Sequence, residues 1–174
     1  MSGHSKWSQI KNKKAVTDAK RSKTFSVMVR LISAAAKTGM DPKNNARLRD
    51  IILKAKEINM PKENIDRAIQ KSAEEKLEEL VMECWAPGGV ALIIEAITDS
   101  RNRTIAEIKH LLSKFDANLG GPGSVKWMFE IKDGQYQAKN PVTVTPEQQT
   151  ELEKLFDALD ANEDVTEFYS NLEN

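Results

Sequence analysis

The sequence predicts an α+β protein: an N-terminal three-helix domain followed by a two-layer α+β domain, a variant of the ferredoxin-like arrangement. Apolar residues recur at helical spacing in three successive stretches before residue 72. From Leu80 onward, β-branched runs bounded by Gly, Pro and Asp alternate with further helical patterns, as in sheets with helices on one face. Charge divides at the same place. Residues 1–76 hold 18 Lys plus Arg against 8 Asp plus Glu, net +10, and residues 77–174 hold 8 against 18, net −10.

Residues 1–16, MSGHSKWSQIKNKKAV, are polar and basic, with Trp7 and Ile10 the only large apolar groups before Val16. They are expected to form a flexible basic arm. Residues 17–76 are expected to form the basic three-helix domain with its linker. The first helix starts at Thr17 or Asp18 and runs to Lys37. Its residues Phe25, Val29, Ile32 and Ala36 share a face, with Lys20, Lys23, Arg30 and Lys37 roughly opposite. Gly39 stops it. Asp41-Pro42 reads as a capping aspartate followed by proline at the first helical position. Leu48, Ile51, Ile52, Ala55 and Ile58 then point inward. Pro61 opens the third helix, with Glu63 in its first turn and Ile65, Ala68 and Ile69 inward. Residues 72–79 form a charged linker.

Residues 77–174 are expected to form the acidic two-layer domain. Strands are predicted over 81–86 and 90–98, joined by the turn Pro87-Gly88-Gly89. A polar loop over 99–103 leads into a helix ending near Phe115. Gly120-Gly121-Pro122-Gly123 turns into a strand over 125–131, and Asp133-Gly134 into another over 135–138. A helix begins at Thr145-Pro146-Glu147 and ends near Leu159, and a strand over 165–169 closes the domain.

The chemistry of enzymes is sparse. The single cysteine, Cys84, permits no internal disulfide, and no apolar stretch reaches membrane-spanning length. The basic N-terminus has no apolar run behind it, so it is not read as a secretory signal, and a cytoplasmic location is expected. His4, His110 and Cys84 lack metal-ligand spacing, and no carboxylate pair is singled out for acid–base work. No catalytic residue, metal, cofactor, membrane or small-molecule substrate is expected. The segments APGGV and LGGPGSV are not phosphate-loop fingerprints, because neither joins a strand to a following helix. They read as turns, with the alternative that they offer backbone N–H groups to a partner.

The basic end carries the functional signal. Lys6, Lys11, Lys13, Lys14, Lys20, Arg21, Lys23 and Arg30 are opposed only by Asp18, and Trp7 lies among them. Cations meet phosphates, and an indole can stack on a base or pack on a sugar. Nucleic acid or the ribosome is the leading partner; an acidic protein surface and plain solubility are the alternatives. In the loop before the fourth helix, Arg101 and Arg103 suit a phosphate or a partner carboxylate, or equally a local salt bridge, and Asn102 or Thr104 could cap the helix.

The segments MSGHSKWSQIKNKK, DAKRSKTF, NMPKENIDRAI, WAPGGVALIIEAITDSRNRT and LGGPGSVKWMF together resemble the YebC/PmpR family, relatives of the mitochondrial translational activator of cytochrome c oxidase. The resemblance runs through residues 1–132, and VTEFYSNLE resembles the family's closing strand. It implies three N-terminal helices followed by α+β domains. Typical members carry a third domain inserted in the second, whereas here residues 134–146 bridge almost directly to the last helix. Family members are described as DNA-binding transcriptional regulators and also as ribosomal factors that promote translation, including through proline-rich stretches. By this resemblance His4, Lys6, Trp7, Lys11, Lys13, Lys14, Lys20, Arg21 and Lys23 carry nucleic-acid contacts, and Arg101, Asn102 and Arg103 match the family's loop. The implied partners are ribosomal RNA or transfer RNA on the ribosome, with duplex DNA as the alternative.

Overall fold

A computed structural model of the protein describes residues 18–173. They form two compact units: 18–79 together with Ile97–Ser100, and Leu80–Ala96 together with 101–173.

The helical unit contains α1 (Asp18–Ala36), α2 (Ala46–Glu57) and α3 (Lys62–Lys71). Helix α1 packs against both others, and that sets which of its residues are buried. Ile32 and Ala36 are buried as their spacing predicts, but Phe25 and Val29 are only half-buried, and Val27, Met28 and Ala35 lie in the core. A helix wedged between two neighbours buries a wider sector than one apolar stripe. Leu48, Ile51 and Ala55 of α2 and Ile65 and Ala68 of α3 complete the core. Ser33 Oγ donates to the Ala68 carbonyl at 3.0 Å, tying α1 to α3.

The start of α2 differs from the sequence expectation. Asn45, not Asp41, is its cap: Asn45 Oδ1 accepts from Leu48 N at 3.0 Å. Its Nδ2 donates to the carbonyls of Ala35 at 2.8 Å and Gly39 at 2.7 Å. A buried amide satisfies the donor end of α2 and the acceptor end of α1 at once, whereas a carboxylate can only accept. Asp41 closes a turn upstream, accepting from Lys43 N and Asn44 Nδ2.

The second unit is built on a four-stranded sheet in the order β3-β1-β2-β6, from β1 (Glu78–Ala86), β2 (Val90–Thr98), β3 (Asn118–Leu119) and β6 (Val165–Ser170). Helices α4 (Arg101–Ser113) and α5 (Pro146–Ala161) cover one face through a core that includes Leu92, Ile94, Ile108, Leu112, Leu155 and Phe168. This is the expected two-layer arrangement. The hairpin of β4 (Phe129–Lys132) and β5 (Gln135–Ala138) lies over part of the other face, where Phe129 and Tyr136 pack with Ala91, Ile93 and Tyr169. Strand β2 is therefore buried on both sides, which accounts for the apolar run of its first five residues, VALII.

Within this unit, β2 and β5 take the bounds the sequence predicts. Asp133 and Gly134 both have positive φ, 51° and 74°, as the two central residues of a tight hairpin turn require. Thr145 caps α5 in a reciprocal pair with Gln148. Residues 139–145 lead from β5 straight to α5, the short connection expected from the sequence. The strand expected over 125–131 is instead a single helical turn, Lys126–Met128, followed by β4, and the two-residue β3 has no counterpart among the expected strands. β3 pairs with β1 through Cys84–Leu119 and Trp85–Asn118 and is too short to carry a periodic signal.

Candidate nucleic-acid interface

Lys20, Arg21 and Lys23 occupy the first turns of α1. Lys20 and Arg21 are exposed, and Lys23 is half-buried. Cations at this end oppose the helix dipole, so helix stability does not account for them. Their placement suits a surface that meets anions. His4, Lys6, Trp7, Lys11, Lys13 and Lys14 lie outside the described residues. Arg30 has a different setting from the other candidates. It is half-buried, and its guanidinium donates to the Ile97 carbonyl at 2.8 Å. Lys37, at the far end of the same helix, donates to the Leu77 carbonyl at 2.7 Å. The end of α1 rich in exposed charge is therefore its N-terminal end. Helix α2 adds exposed Arg49, Lys54 and Lys56, which fall between its inward positions and give no pattern of their own in the sequence.

In the second unit, Arg101, Asn102 and Arg103 form the first turn of α4 rather than the loop expected from the sequence. All three are exposed. Arg103 reaches the buried Asp164 carboxylate at 3.2 Å and Glu107 at 3.9 Å. The local salt bridge allowed by the sequence is thus present for Arg103. Thr104 is buried and donates its hydroxyl to the same Asp164 oxygen at 2.6 Å, so it anchors α4 to the start of β6 rather than capping the helix. His110 is exposed on α4.

The loop after β3 settles what its backbone amides do. Glu83, buried on β1, accepts from Gly123 N at 2.6 Å, Val125 N at 2.8 Å and Lys126 N at 2.7 Å. Burial disfavours this carboxylate's charge, but the three amides and the Lys126 ammonium outweigh it and hold its pKa below the usual value. These N–H groups serve Glu83, not a partner. The other glycine turn, Pro87–Gly89, holds Gly88 and Gly89 at positive φ. A Cβ on Gly88 would come 2.7 Å from Val144 Cγ1. Beside Glu83, burial and that carboxylate push the Cys84 thiol up to about 12, which leaves it a core residue without thiolate chemistry. Among the described residues, no group of three or more His, Cys, Asp or Glu could hold a metal ion, and no helix is long and apolar enough to cross a membrane.

A basic three-helix unit followed by an acidic α+β unit sets the class of protein among which relatives are found. The model of the TACO1/YebC N-terminal domain matches residues 5–75, and that of the TACO1/YebC second and third domain matches residues 77–134. The chain belongs to the TACO1/YebC family. It is 47% identical over 173 residues to a probable transcriptional regulatory protein of Desulfotalea psychrophila, covering 97% of this chain and 68% of that one. It is 51% identical over 138 residues to a protein of the same description from Syntrophus aciditrophicus, covering 76% and 55%. The chain therefore spans roughly half to two thirds of the length of such relatives. The crystal structure of a conserved hypothetical protein from Aquifex aeolicus superposes with a TM-score of 0.85 at 31% identity, covering 97% of this chain and 96% of that one.

Proposed function

We propose that this protein is a cytoplasmic, ribosome-associated translation factor that contacts ribosomal or transfer RNA through its basic end and aids synthesis of difficult, proline-rich sequences. The observation that carries the reading is the separation of charge, +10 in residues 1–76 against −10 in residues 77–174, with Lys20 and Arg21 exposed where helix stability gives no reason for them. Phosphate attracts one half and repels the other, so a large RNA is met in one orientation. Peptide-bond chemistry stays with the ribosome, and the protein positions RNA. No membrane or small-molecule substrate enters this reading.

The second reading is a DNA-binding transcriptional regulator, favoured by the description of the bacterial relatives. A base-reading helix would have to come from the pair α2 and α3. The exposed positions of α3 are Lys62, Glu63, Asp66, Arg67, Gln70 and Lys71, whose carboxylates are repelled by phosphate. Phosphate attraction alone would still give weak DNA binding at low salt. A module that binds only proteins is the third reading.

Co-sedimentation with purified ribosomes across a salt series tests the proposal. The wild type is expected to pellet near physiological salt, and a variant with Lys11, Lys13 and Lys14 changed to Glu to remain in the supernatant. If both remain in the supernatant, the ribosomal reading fails. Discrimination between duplexes at physiological salt would then favour the DNA reading, and nuclease-resistant binding that needs the acidic half would favour the protein module.

A further inference from the structure

The acidic half contains a local exception to its charge. Of the eight basic residues in 77–174, Lys126, Lys132 and Lys139 lie within residues 126–139, against Glu130 and Asp133. The same stretch exposes Trp127, at 62% of its surface. An indole this exposed is unusual, because tryptophan carries a large apolar area.

The indole is also fixed. Trp127 Nε1 donates to the Ser124 carbonyl at 3.0 Å, so its polar edge is satisfied within the turn. That turn is held from below by the three amide bonds to Glu83. From the other side, Lys139 donates its backbone N–H to the Met128 carbonyl at 2.9 Å and its Nζ to the Trp127 carbonyl at 3.0 Å. The ammonium of Lys139 is thereby placed beside the tryptophan, and that of Lys126 sits 5.9 Å from the Tyr136 ring centre. A satisfied N–H leaves the aromatic surface as what the side chain offers a partner, and the neighbouring charges are positive.

We propose that Trp127 is a stacking platform for an unpaired base of single-stranded RNA, with Lys126 and Lys139 meeting the adjoining phosphates. The inference rests on the RNA reading above and adds a second contact, in the half of the chain whose net charge argues against one. A rigid aromatic surface flanked by cations matches an unstacked base and its phosphates, because every base has a face to stack and stacking needs no sequence.

The test uses the full chain with a single-stranded oligoadenylate and a blunt RNA duplex as probes. Trp127→Ala is expected to weaken oligoadenylate binding roughly five- to hundredfold, with Trp127→Phe recovering much of it and duplex binding little changed. The fluorescence lost in Trp127→Phe, which isolates this indole from Trp7 and Trp85, is expected to be quenched by oligoadenylate in the wild type. Unchanged oligoadenylate affinity in Trp127→Ala, or no quench from Trp127, overturns the platform. Ribosome pelleting separates the two claims. A wild type that pellets while Trp127→Ala binds oligoadenylate normally leaves the ribosomal function standing and the platform refuted. A wild type that fails to pellet but shows the Trp127 quench refutes the function and supports the platform. Loss of pelleting in Trp127→Ala with oligoadenylate binding intact overturns the platform and assigns this surface to a ribosomal protein.

Discussion

The two units use charge in opposite ways. In the helical unit, Lys20 and Arg21 are exposed, and uncharged groups tie the helices to one another, Ser33 to Ala68 and Asn45 to Ala35, Gly39 and Leu48, while Arg30 and Lys37 reach the carbonyls of Ile97 and Leu77. In the α+β unit, two buried carboxylates organise the chain. Glu83 gathers the loop after β3, and Asp164 joins α4 to the start of β6. Surface charge adds little to stability, whereas a buried carboxylate surrounded by donors is costly to remove. Charge changes at Lys20 and Arg21 should therefore alter binding and leave folding intact. In the second unit they should alter folding first.

The largest stability loss is expected at Glu83. Glu83→Ala strands three amide donors, and with the loop tip open to water the cost is about 3–5 kcal/mol. A thermal or denaturant melt would register it. The same group predicts acid sensitivity. Its folded pKa is depressed below the unfolded reference of 4.5, so its contribution is complete above that pH and is lost as pH falls from there through the folded value. The stability gap between wild type and Glu83→Ala should accordingly be full near neutrality and narrow in acid. A gap independent of pH would mean that lost packing, not the carboxylate, governs the loop.

Asp164 is next. Asp164→Ala leaves the buried Thr104 hydroxyl without this acceptor and frees Arg103, whose side chain is 45% exposed and can return to water. The expected cost is about 2 kcal/mol, most of it at Thr104. Arg103→Ala should cost far less, and equal effects from the two variants would show the ion pair to be the stronger link.

Much of this division is legible in the sequence. The charge boundary, the three helices, β2, β5, the Asp133-Gly134 turn and the Thr145 cap follow from periodicity and local chemistry, which neighbouring residues determine. What escapes depends on distant partners. Asp41-Pro42 carries a valid local start signal, but Asn45 displaces it because its amide also serves the end of α1, ten residues back. The apolar sector of α1 is set by two packing partners that a single stripe cannot anticipate. For the candidate site, Lys20 and Arg21 are readable as exposed cations. The ties of Arg30 to Ile97 and Arg103 to Asp164 span 67 and 61 residues and leave no trace in local pattern. Trp127 falls within an expected strand, where a tryptophan reads as core, and only the turn at Lys126–Met128 brings it outward.

The sharpest test of the comparison has the smallest effect on folding, and of opposite sign. Changing Lys20 and Arg21 together to Glu places acidic groups in the early turns of α1, where the helix dipole favours them. Stability should hold or rise by about 0.3–1 kcal/mol. RNA binding should weaken, and the slope of affinity against salt should fall by roughly one for each phosphate left unneutralised. A chain that becomes no less stable while failing to hold RNA would show that these cations serve the partner alone. A variant that loses stability along with affinity would mean that Lys20 or Arg21 also holds the helical unit together, and the division of labour between the two units would not extend to the start of α1.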